Sequence, residues 1–372
     1  MNIPAAKIYF PKEDRKEILQ HIDEILKSGW LTLGKYGREF EKRFATYVGT
    51  KYAVAVSSGT SALEIILRCL DVKGLSVIVP TNTFFATPAA VIHAGGRVIF
   101  ADITESLCID PESVKENIKE DTKGVIVVHI GGAVAPEIME IREICKKYGL
   151  FLIEDAAHAH GSTLNGKKAG TFGDAAAFSF YPTKVITSGE GGMIVTNNEE
   201  IYKRAIVFRD QGKAGFYGNV HTEMGYNWRM SEIHAAIGLS QFARLDEFIA
   251  ARREIAKIYD EGLEDVSGIK ALKTEANTSN YYKYVAFLDE GVDRARLKRR
   301  LKERYNVSLS GEVYELPCHL QPIFKELYGF KGGEFPRAEG LCKRHICLPI
   351  YATMTEAEAR YVIEALSSVI KE

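Results

Sequence analysis

The sequence has no excess of charge of either sign. Its 372 residues include 48 lysines and arginines against 49 aspartates and glutamates, which gives a formal net charge of −1 at pH 7. Proteins that bind nucleic acid gain much of their affinity from basic side chains placed against the phosphates, and a nearly neutral chain lacks that attraction. The basic run at 294–304 is typical of the solvated face of a helix. We therefore expect no nucleic-acid partner.

Long apolar runs are missing as well. No stretch approaches the roughly 18 apolar residues that indicate a membrane span. The first residues, MNIPAAKIYFPKEDRKEI, lack the apolar core of a signal peptide. These absences predict no membrane association, and we expect a cytoplasmic location.

Cysteine is sparse and shows no tight pairing. The six cysteines are scattered through the chain without a C-x-x-C pair, so reduced thiols are expected. One alternative stays open: a structural zinc site could draw on the sulfur and imidazole ligands of the C-terminal part, which are Cys318, His319, Cys342, His345 and Cys347. Buried apolar cysteines are the commoner outcome, and we predict no bound metal.

Short apolar, β-branched runs alternate with helix-like segments from residue 52 to about 196. Continuous apolar runs indicate strands that are covered on both faces, which predicts an α/β fold with a mostly parallel central sheet covered by helices. Residues 230–260 contain no proline and only one glycine, so we predict one long helix of about eight turns there. This helix would lead from a large domain with an N-terminal arm, 1–245, into a smaller C-terminal α/β domain, 246–372.

The first segment that indicates chemistry is AVAVSSGTSALEII, a strand that turns directly into a helix. Small and hydroxyl-bearing residues stand at the turn: Ser58, Gly59, Thr60 and Ser61. Their backbone N–H groups at the positive end of a helix dipole would suit a phosphate. An ordinary helix cap explains the same residues about as well.

The second segment is LFLIEDAAHAHG, where a buried strand ends in Glu154 and Asp155. Ligands of α/β sheets bind at the carboxyl ends of the strands. Asp155 could be a general base, a metal ligand or the partner of a protonated heterocycle. His158 and His160, with His129 and Asp102 at nearby strand ends, keep a metal site open as an alternative.

The third segment, DAAAFSFYPTKVITSGEGGMIVTN, contains Lys184 after an apolar strand. A partly buried lysine has a lowered pKa and becomes a nucleophile toward aldehydes. A phosphate cradle, an acid at a strand end and such a lysine match the phosphate, the pyridine nitrogen and the aldehyde of pyridoxal 5′-phosphate. The conjunction predicts that cofactor.

Seven segments together resemble the DegT/DnrJ/EryC1/StrS family of sugar aminotransferases: SGWLTLGKYGREFEKRFATYVG, AVAVSSGTSAL, PTNTFFAT, IEDAAHAHG, FSFYPTK, SGEGGMIVTN and GYNWRMSEIHAAIGLSQ. The resemblance extends in the family's order over nearly the whole chain. It implies a fold-type-I, pyridoxal-phosphate-dependent transferase that acts on a nucleotide-linked keto sugar.

The resemblance also implies roles for particular residues. Lys184 would carry the cofactor and Asp155 would pair with its ring nitrogen, and these two are the predicted catalytic residues. The other predicted cofactor contacts are Gly59, Thr60, Ser61 and Ser179 at the phosphate, Phe84 on the ring face, His158 at the phenolic oxygen, and Asn227 reaching the phosphate of a neighbouring subunit. Near the substrate, the resemblance places Trp30, Tyr181, Arg229, Tyr314 and His319.

The predicted function is the transfer of an amino group from glutamate to a nucleotide-linked keto sugar by a homodimer with shared active sites. Three alternatives stay open: a keto-sugar dehydratase, which Lys184 argues against; a non-enzymatic sensor of the cofactor or of a sugar nucleotide; and a metal hydrolase built on His158 and His160. The sequence leaves open the sugar, the nucleotide and the aminated carbon, and it leaves open a cyclic ketone as the acceptor.

Overall fold

The computed structural model describes residues 1–215, 218–273 and 278–371. Within them the strands are β1 (Tyr52–Val56), β2 (Ser76–Pro80), β3 (Arg97–Ala101), β4 (Thr122–Val128), β5 (Phe151–Asp155), β6 (Thr163–Leu164), β7 (Lys167–Lys168), β8 (Ala175–Ser179), β9 (Gly192–Thr196), β10 (Ile269–Ala271), β11 (Tyr284–Leu288) and β12 (His345–Leu348). The α-helices are α1 (Lys12–Ser28), α2 (Lys35–Val48), α3 (Gly59–Cys69), α4 (Ala86–His93), α5 (Pro111–Asn117), α6 (Ile138–Tyr148), α7 (Glu199–Arg209), α8 (Glu232–Ala243), α9 (Leu245–Leu263), α10 (Arg294–Tyr305), α11 (Pro322–Tyr328), α12 (Pro336–Arg344) and α13 (Glu356–Ile370).

Seven of these strands form the central sheet, in the order β1-β9-β8-β5-β4-β2-β3. Neighbouring strands from β8 to β3 pair in parallel, and β9 is antiparallel to both β8 and β1. Because β1, β5 and β8 run in the same direction, their carboxyl ends meet at one edge of the sheet. The predicted mostly parallel sheet is confirmed, and its edge brings three of the chemically notable segments together.

The core lies on both faces of this sheet. Strands β2, β5 and β9 are buried along their whole length, as the continuous apolar runs predicted. On one face, Phe44 of α2 packs edge-on against Phe178 and Phe180, with ring centroids 5.0 and 5.6 Å apart. This aromatic contact holds α2 against β8 and the turn that follows it.

A second, antiparallel sheet, β10-β11-β12, forms the core of the C-terminal part. Helices α9 and α13 pack on each other beside it. Ile3 of the N-terminal arm pairs with Val307 and is completely buried in this core. The arm therefore packs against the C-terminal part, whereas the sequence analysis grouped it with the large domain.

The predicted single helix over 230–260 is wrong, because the structure has two helices, α8 and α9, with a break at Arg244. The backbone of Arg244 has a ψ of 0°, well outside the helical range. Its guanidinium group pairs with Asp14 of α1 at 2.8 Å and with Glu247 at 3.0 Å. Neither glycine nor proline stands at the break, and the apolar residues keep their helical spacing across it. The sequence therefore gave no sign of the break. Among the described residues, no helix combines the length and apolarity that crossing a membrane requires.

We predict that Phe44→Ala lowers the free energy of unfolding by about 3–5 kcal/mol, because it leaves a cavity among rings that cannot collapse into it. Denaturant unfolding followed by tryptophan fluorescence or circular dichroism measures this. Leu19→Ala on α1 is the matched control, since Leu19 is 66% exposed and its loss should change the free energy by less than about 0.5 kcal/mol. Equal effects of the two substitutions would contradict the assigned core.

Candidate active site

The predicted phosphate cradle lies at the start of α3. Ser58 caps the helix: its hydroxyl accepts the N–H of Ser61 at 3.0 Å, and the Ser61 hydroxyl accepts the N–H of Ser58 at 3.0 Å. The N–H groups of Gly59 and Thr60 belong to the first turn, where a helix leaves its N–H groups without intrahelical partners. A Cβ on Gly59 would lie 2.8 Å from the Cβ of Ser179. Only glycine therefore allows the end of β8 and this helix to approach so closely.

Asp155 occupies the last position of β5 and is buried. Its carboxylate accepts the hydroxyl of Thr87 at 2.7 Å and the N–H of Ala157 at 3.2 Å. Burial raises the pKa of Asp155, while these two donors and the nearby Lys184 oppose the rise. A protonated ring nitrogen is the kind of partner that would stabilise this buried carboxylate.

The neighbouring Glu154 has a structural role. It is completely buried and accepts the N–H groups of Gly170, Phe172 and Gly173 at 2.7–2.8 Å. It also contacts the imidazole Nε2 of His129 at 2.9 Å. Glu154 thus fixes the loop that enters β8, and its lone pairs are used up by the protein itself.

Lys184 lies in the loop that joins β8 to β9. Its N–H donates to the carbonyl of Tyr181 at 2.9 Å, and the hydroxyl of Thr187 closes the loop on the carbonyl of Phe180 at 2.8 Å. Burial lowers the pKa of Lys184 to about 8, with Asp155 opposing the shift and Lys283 adding to it. A substantial fraction of neutral amine is therefore present near neutral pH, as a nucleophile requires.

His158 is buried three residues beyond Asp155. Its ring stacks on Tyr282 with centroids 4.3 Å apart, and its Nε2 lies 3.2 Å from the hydroxyl of Tyr314. Its Nδ1 is buried without a hydrogen-bond partner. Burial lowers the pKa of His158 well below its usual value, so the ring is neutral.

One cavity of about 380 Å³ collects most of the predicted residues. The predicted site residues that line it are Gly59, Thr60, Phe84, Asp155, His158, Ser179, Tyr181, Lys184 and Tyr314. The rings of Phe84 and Phe85 have different surroundings. Phe84 borders the cavity, while Phe85 packs against Phe324 with ring centroids 5.7 Å apart. Phe85 therefore serves packing, whereas Phe84 is open to the cavity.

Five predicted residues are not part of the lining of this cavity. Ser61 is buried in the helix cap, and His319 is buried between Thr81 at 2.6 Å and Glu339 at 3.1 Å. The other three lie elsewhere on the surface: Trp30 borders a separate cavity, Asn227 is exposed, and Arg229 pairs with Asp210 of its own chain. Their predicted roles remain predictions.

The alternative metal sites are not assembled among the described residues. His129 is paired with Glu154, and Asp102 accepts the N–H groups of Arg337 and Ala338. His160 stacks near Phe178 and Phe180, and burial lowers its pKa to about 3. Cys318, Cys342 and Cys347 are buried thiols whose pKa burial raises to about 12. Within 1–215, 218–273 and 278–371, the candidate metal-binding group is His319, Glu334 and Glu339, away from this cavity.

Sequence reasoning missed three residues that shape the site. Thr87 donates to Asp155, Tyr282 borders the cavity, and Asn280 holds the loop of His158 by donating to the carbonyls of His158 and His160 at 2.8 and 2.9 Å. Thr87 is the last residue of the quoted PTNTFFAT segment. The other two come from NYYKY at 280–284, more than a hundred residues further on, where no local signal indicated them.

The donors around the cavity fit the cofactor predicted from the sequence. N–H groups at a helix start suit its phosphate, a buried carboxylate suits its ring nitrogen, and a lysine with a lowered pKa suits its aldehyde. The unpartnered Nδ1 of His158 is a polar atom still in need of a partner at this place. Together with the strand order, this arrangement defines the class of fold-type-I, pyridoxal-phosphate-type lysine enzymes.

Comparisons with known proteins specify the family. The model of the DegT/DnrJ/EryC1/StrS aminotransferase family matches residues 12–367, and the chain belongs to this family. Spore coat polysaccharide biosynthesis protein SpsC of Bacillus subtilis (strain 168) is 36% identical, covering 96% of this chain and 95% of its own. GDP-perosamine synthase of Vibrio cholerae is 34% identical, covering 97% and 98%.

A solved structure agrees with these relatives. NtdA from Bacillus subtilis with bound cofactor PMP has a TM-score of 0.90 at 32% identity, covering 98% of this chain and 83% of that one. The predicted family, fold class and enzyme class, an aminotransferase, are confirmed.

We predict that Asp155→Asn lowers turnover by two to three orders of magnitude but changes cofactor occupancy by less than about tenfold. In the predicted arrangement the phosphate cradle would supply binding, whereas the carboxylate would keep the ring nitrogen protonated, and each pKa unit lost there corresponds to about 1.4 kcal/mol. Single-turnover kinetics with glutamate and the absorbance of cofactor retained after dialysis measure the two quantities.

The matched control is Glu154→Gln at the adjacent position. It weakens the contacts to the loop that enters β8, so it should lower the melting temperature, whereas Asp155→Asn should leave the melting temperature within a few degrees. Wild-type turnover in Asp155→Asn, or a parallel loss of occupancy and turnover, would refute the assignment.

Proposed function

We propose that this aminotransferase holds pyridoxal 5′-phosphate and moves an amino group from glutamate to a nucleotide-linked keto sugar. The observation that carries the proposal is the convergence of Lys184, Asp155 and the start of α3 on one cavity. The named relatives support the acceptor class, because one is a spore coat polysaccharide biosynthesis protein and another a GDP-perosamine synthase. When bound, the cofactor supplies an electron sink that stabilises negative charge on the substrate carbon.

The chain's own residues supply binding and proton transfer. Gly59 and Thr60 offer N–H groups to the phosphate, and Ser179, which closes against Gly59, adds a hydroxyl. Asp155, held by Thr87, keeps the proton on the ring nitrogen. With the cofactor bound, the amine of Lys184 would be the group that moves a proton between the substrate carbon and the cofactor side, which its lowered pKa would permit.

Aromatic groups at the mouth of the cavity support a sugar substrate. Tyr181 and Phe84 border the cavity and remain 48% and 57% exposed. Their faces are free to pack on a sugar ring or a base. Tyr314, deeper and hydrogen-bonded to His158, completes that wall.

We also propose a homodimer with shared sites. Asn227 is exposed and lies beside apolar side chains that face solvent in the single chain, among them Met224 at 85% and Tyr226 at 55% exposure. A second copy would cover these side chains and bring Asn227 to the neighbour's phosphate. Arg229, paired with Asp210, would hold that segment in place.

We expect purified protein with glutamate to aminate at least one member of a panel of UDP-, dTDP- and GDP-linked keto sugars and to show negligible activity with simple 2-oxo acids as acceptors. Mass spectrometry of the products measures this. A cyclic ketone belongs in the panel. Efficient transfer to 2-oxo acids with no product from any keto sugar would overturn the substrate class.

Borohydride reduction of the same preparation, followed by peptide mapping, is the control for the chemistry. The cofactor label should lie on Lys184. Lys168, whose amine is tied to the carbonyl of Tyr47 at 2.7 Å, should stay unlabelled. Label on Lys168, or a Lys184→Ala variant that still transfers amino groups, would contradict the mechanism.

Subunit mixing tests the shared site. Asn227→Ala subunits mixed with Lys184→Ala subunits should regain part of the wild-type activity, because a heterodimer can contain one site with both residues intact. Exchange of subunits is verified by native mass spectrometry with a size tag on one variant. Absence of rescue in mixtures that have exchanged would mean that each site is built from one chain.

A further inference from the structure

Tyr282 is a buried aromatic residue directly beside the lysine of the site. It is 9% exposed and borders the same cavity as Lys184. It belongs to the segment that enters β11, so it reaches the central sheet from the C-terminal part of the chain. The mechanism proposed above assigns it no role.

The backbone fixes Tyr282 firmly. The N–H of Tyr282 donates to the side-chain oxygen of Asn280 at 2.8 Å, and the N–H of Lys283 donates to the carbonyl of Gly131 at 2.9 Å. Gly132 has a φ of +105°, and a Cβ there would lie 2.1 Å from the Asn280 oxygen and 2.8 Å from the Tyr282 nitrogen. This close approach fixes the backbone from which the ring of Tyr282 extends.

The side chain of Tyr282 contacts three groups of the site and also Lys283, whose Nζ lies 5.4 Å from the ring centroid. The Nζ of Lys184 lies over the ring, 4.9 Å from its centroid. The ring of His158 packs on it at 4.3 Å and 31°. The hydroxyl lies 3.2 Å from the hydroxyl of Thr183, the residue that precedes Lys184.

An ammonium group over an aromatic face is attracted by the negative electrostatic potential of that face, which arises from the quadrupole of the ring. Burial acts in the opposite direction, because it penalises the charged amine. The neutral and the protonated forms of Lys184 can therefore both reside at one position over Tyr282. A lysine that takes up and returns a proton in each half of an amino-group transfer needs one position that accepts both its neutral and its protonated form.

We propose that Tyr282 is a positioning residue whose ring holds the free side chain of Lys184, and with it the ring of His158, at the site of proton transfer. The inference rests on the proposed amino transfer at this cavity. Its aromatic face, rather than its hydroxyl, carries the effect on the lysine.

Other titratable and charged groups also face Lys184 and affect its protonation. They come from several parts of the chain and border the two cavities next to the lysine or act on it from nearby: Lys7, Tyr9, Asp155, His158, His160, Tyr181, Glu190, Arg252, Lys283 and Tyr314. The variants below leave all of them unchanged, so a shift in the titration of Lys184 reports the loss of the ring.

We expect Tyr282→Leu to lower kcat by about 2- to 30-fold, which corresponds to about 0.5–2 kcal/mol, with little change in KM for glutamate. Tyr282→Phe keeps the ring and should retain kcat within about twofold. A second measurement uses protein freed of its cofactor and follows the capture of Lys184 by pyridoxal and cyanoborohydride as a function of pH. Wild type should react half-maximally near pH 8, Tyr282→Phe at the same pH, and Tyr282→Leu at lower pH because its ammonium form has lost the ring.

Melting temperatures show whether each variant folds, and Tyr282→Met, which keeps bulk without a ring, replaces Tyr282→Leu if the latter does not. An unchanged kcat and an unchanged or raised titration midpoint in the ringless variant would overturn the proposal. So would an equal loss in Tyr282→Phe, because it would assign the effect to the hydroxyl. If wild type transfers no amino group to any acceptor, the proposed function fails, while the capture titration still reports on Tyr282.

Discussion

The common direction of β1, β5 and β8 in the central sheet is the constraint on which the site depends. It brings the start of α3, the carboxylate of Asp155 and the loop of Lys184 to one edge, although Gly59 and Lys184 are 125 positions apart in the chain. The antiparallel strand β9 lies between β1 and β8 and makes the return after Lys184 short. The loop is closed by Thr187 on Phe180, so the lysine has little freedom to leave the cavity.

Neighbouring carboxylates in β5 show how environment assigns roles. Glu154 and Asp155 are both buried, and their side chains point to opposite faces of the strand. Three backbone N–H groups and His129 saturate Glu154. Asp155 receives a hydroxyl and one N–H group, so it retains the capacity to stabilise a positive charge. A buried carboxylate that is only partly satisfied is costly without such a partner.

The C-terminal part of the chain contributes residues that contact His158 and the loop that contains it. Asn280, Tyr282 and Tyr314 all approach the cavity from beyond α9, and each is tied to the loop of His158 or to His158 itself. Contact between these loops of the C-terminal part and the loop of His158 therefore orients the imidazole and borders the lysine. Changes in this contact would act on the chemistry without touching the phosphate cradle.

The sequence by itself determined the α/β class and the strands of the central sheet, and it predicted Lys184, Asp155, Gly59 and Thr60 as residues of the site. These signals are local: apolar runs, a cap motif, and acids and lysines at strand ends. Only the tertiary structure decided what depends on distant contacts. It divided the helix at Arg244, whose guanidinium group pairs with Asp14, buried Ser61 in a cap and His319 between Thr81 and Glu339, and gave Phe84 and Phe85 different surroundings. It also brought Tyr282 to Lys184 from 98 positions away. Periodicity and motif spacing carry information about residues that are near one another in the chain. Tertiary packing, in contrast, brings together residues that are far apart in it.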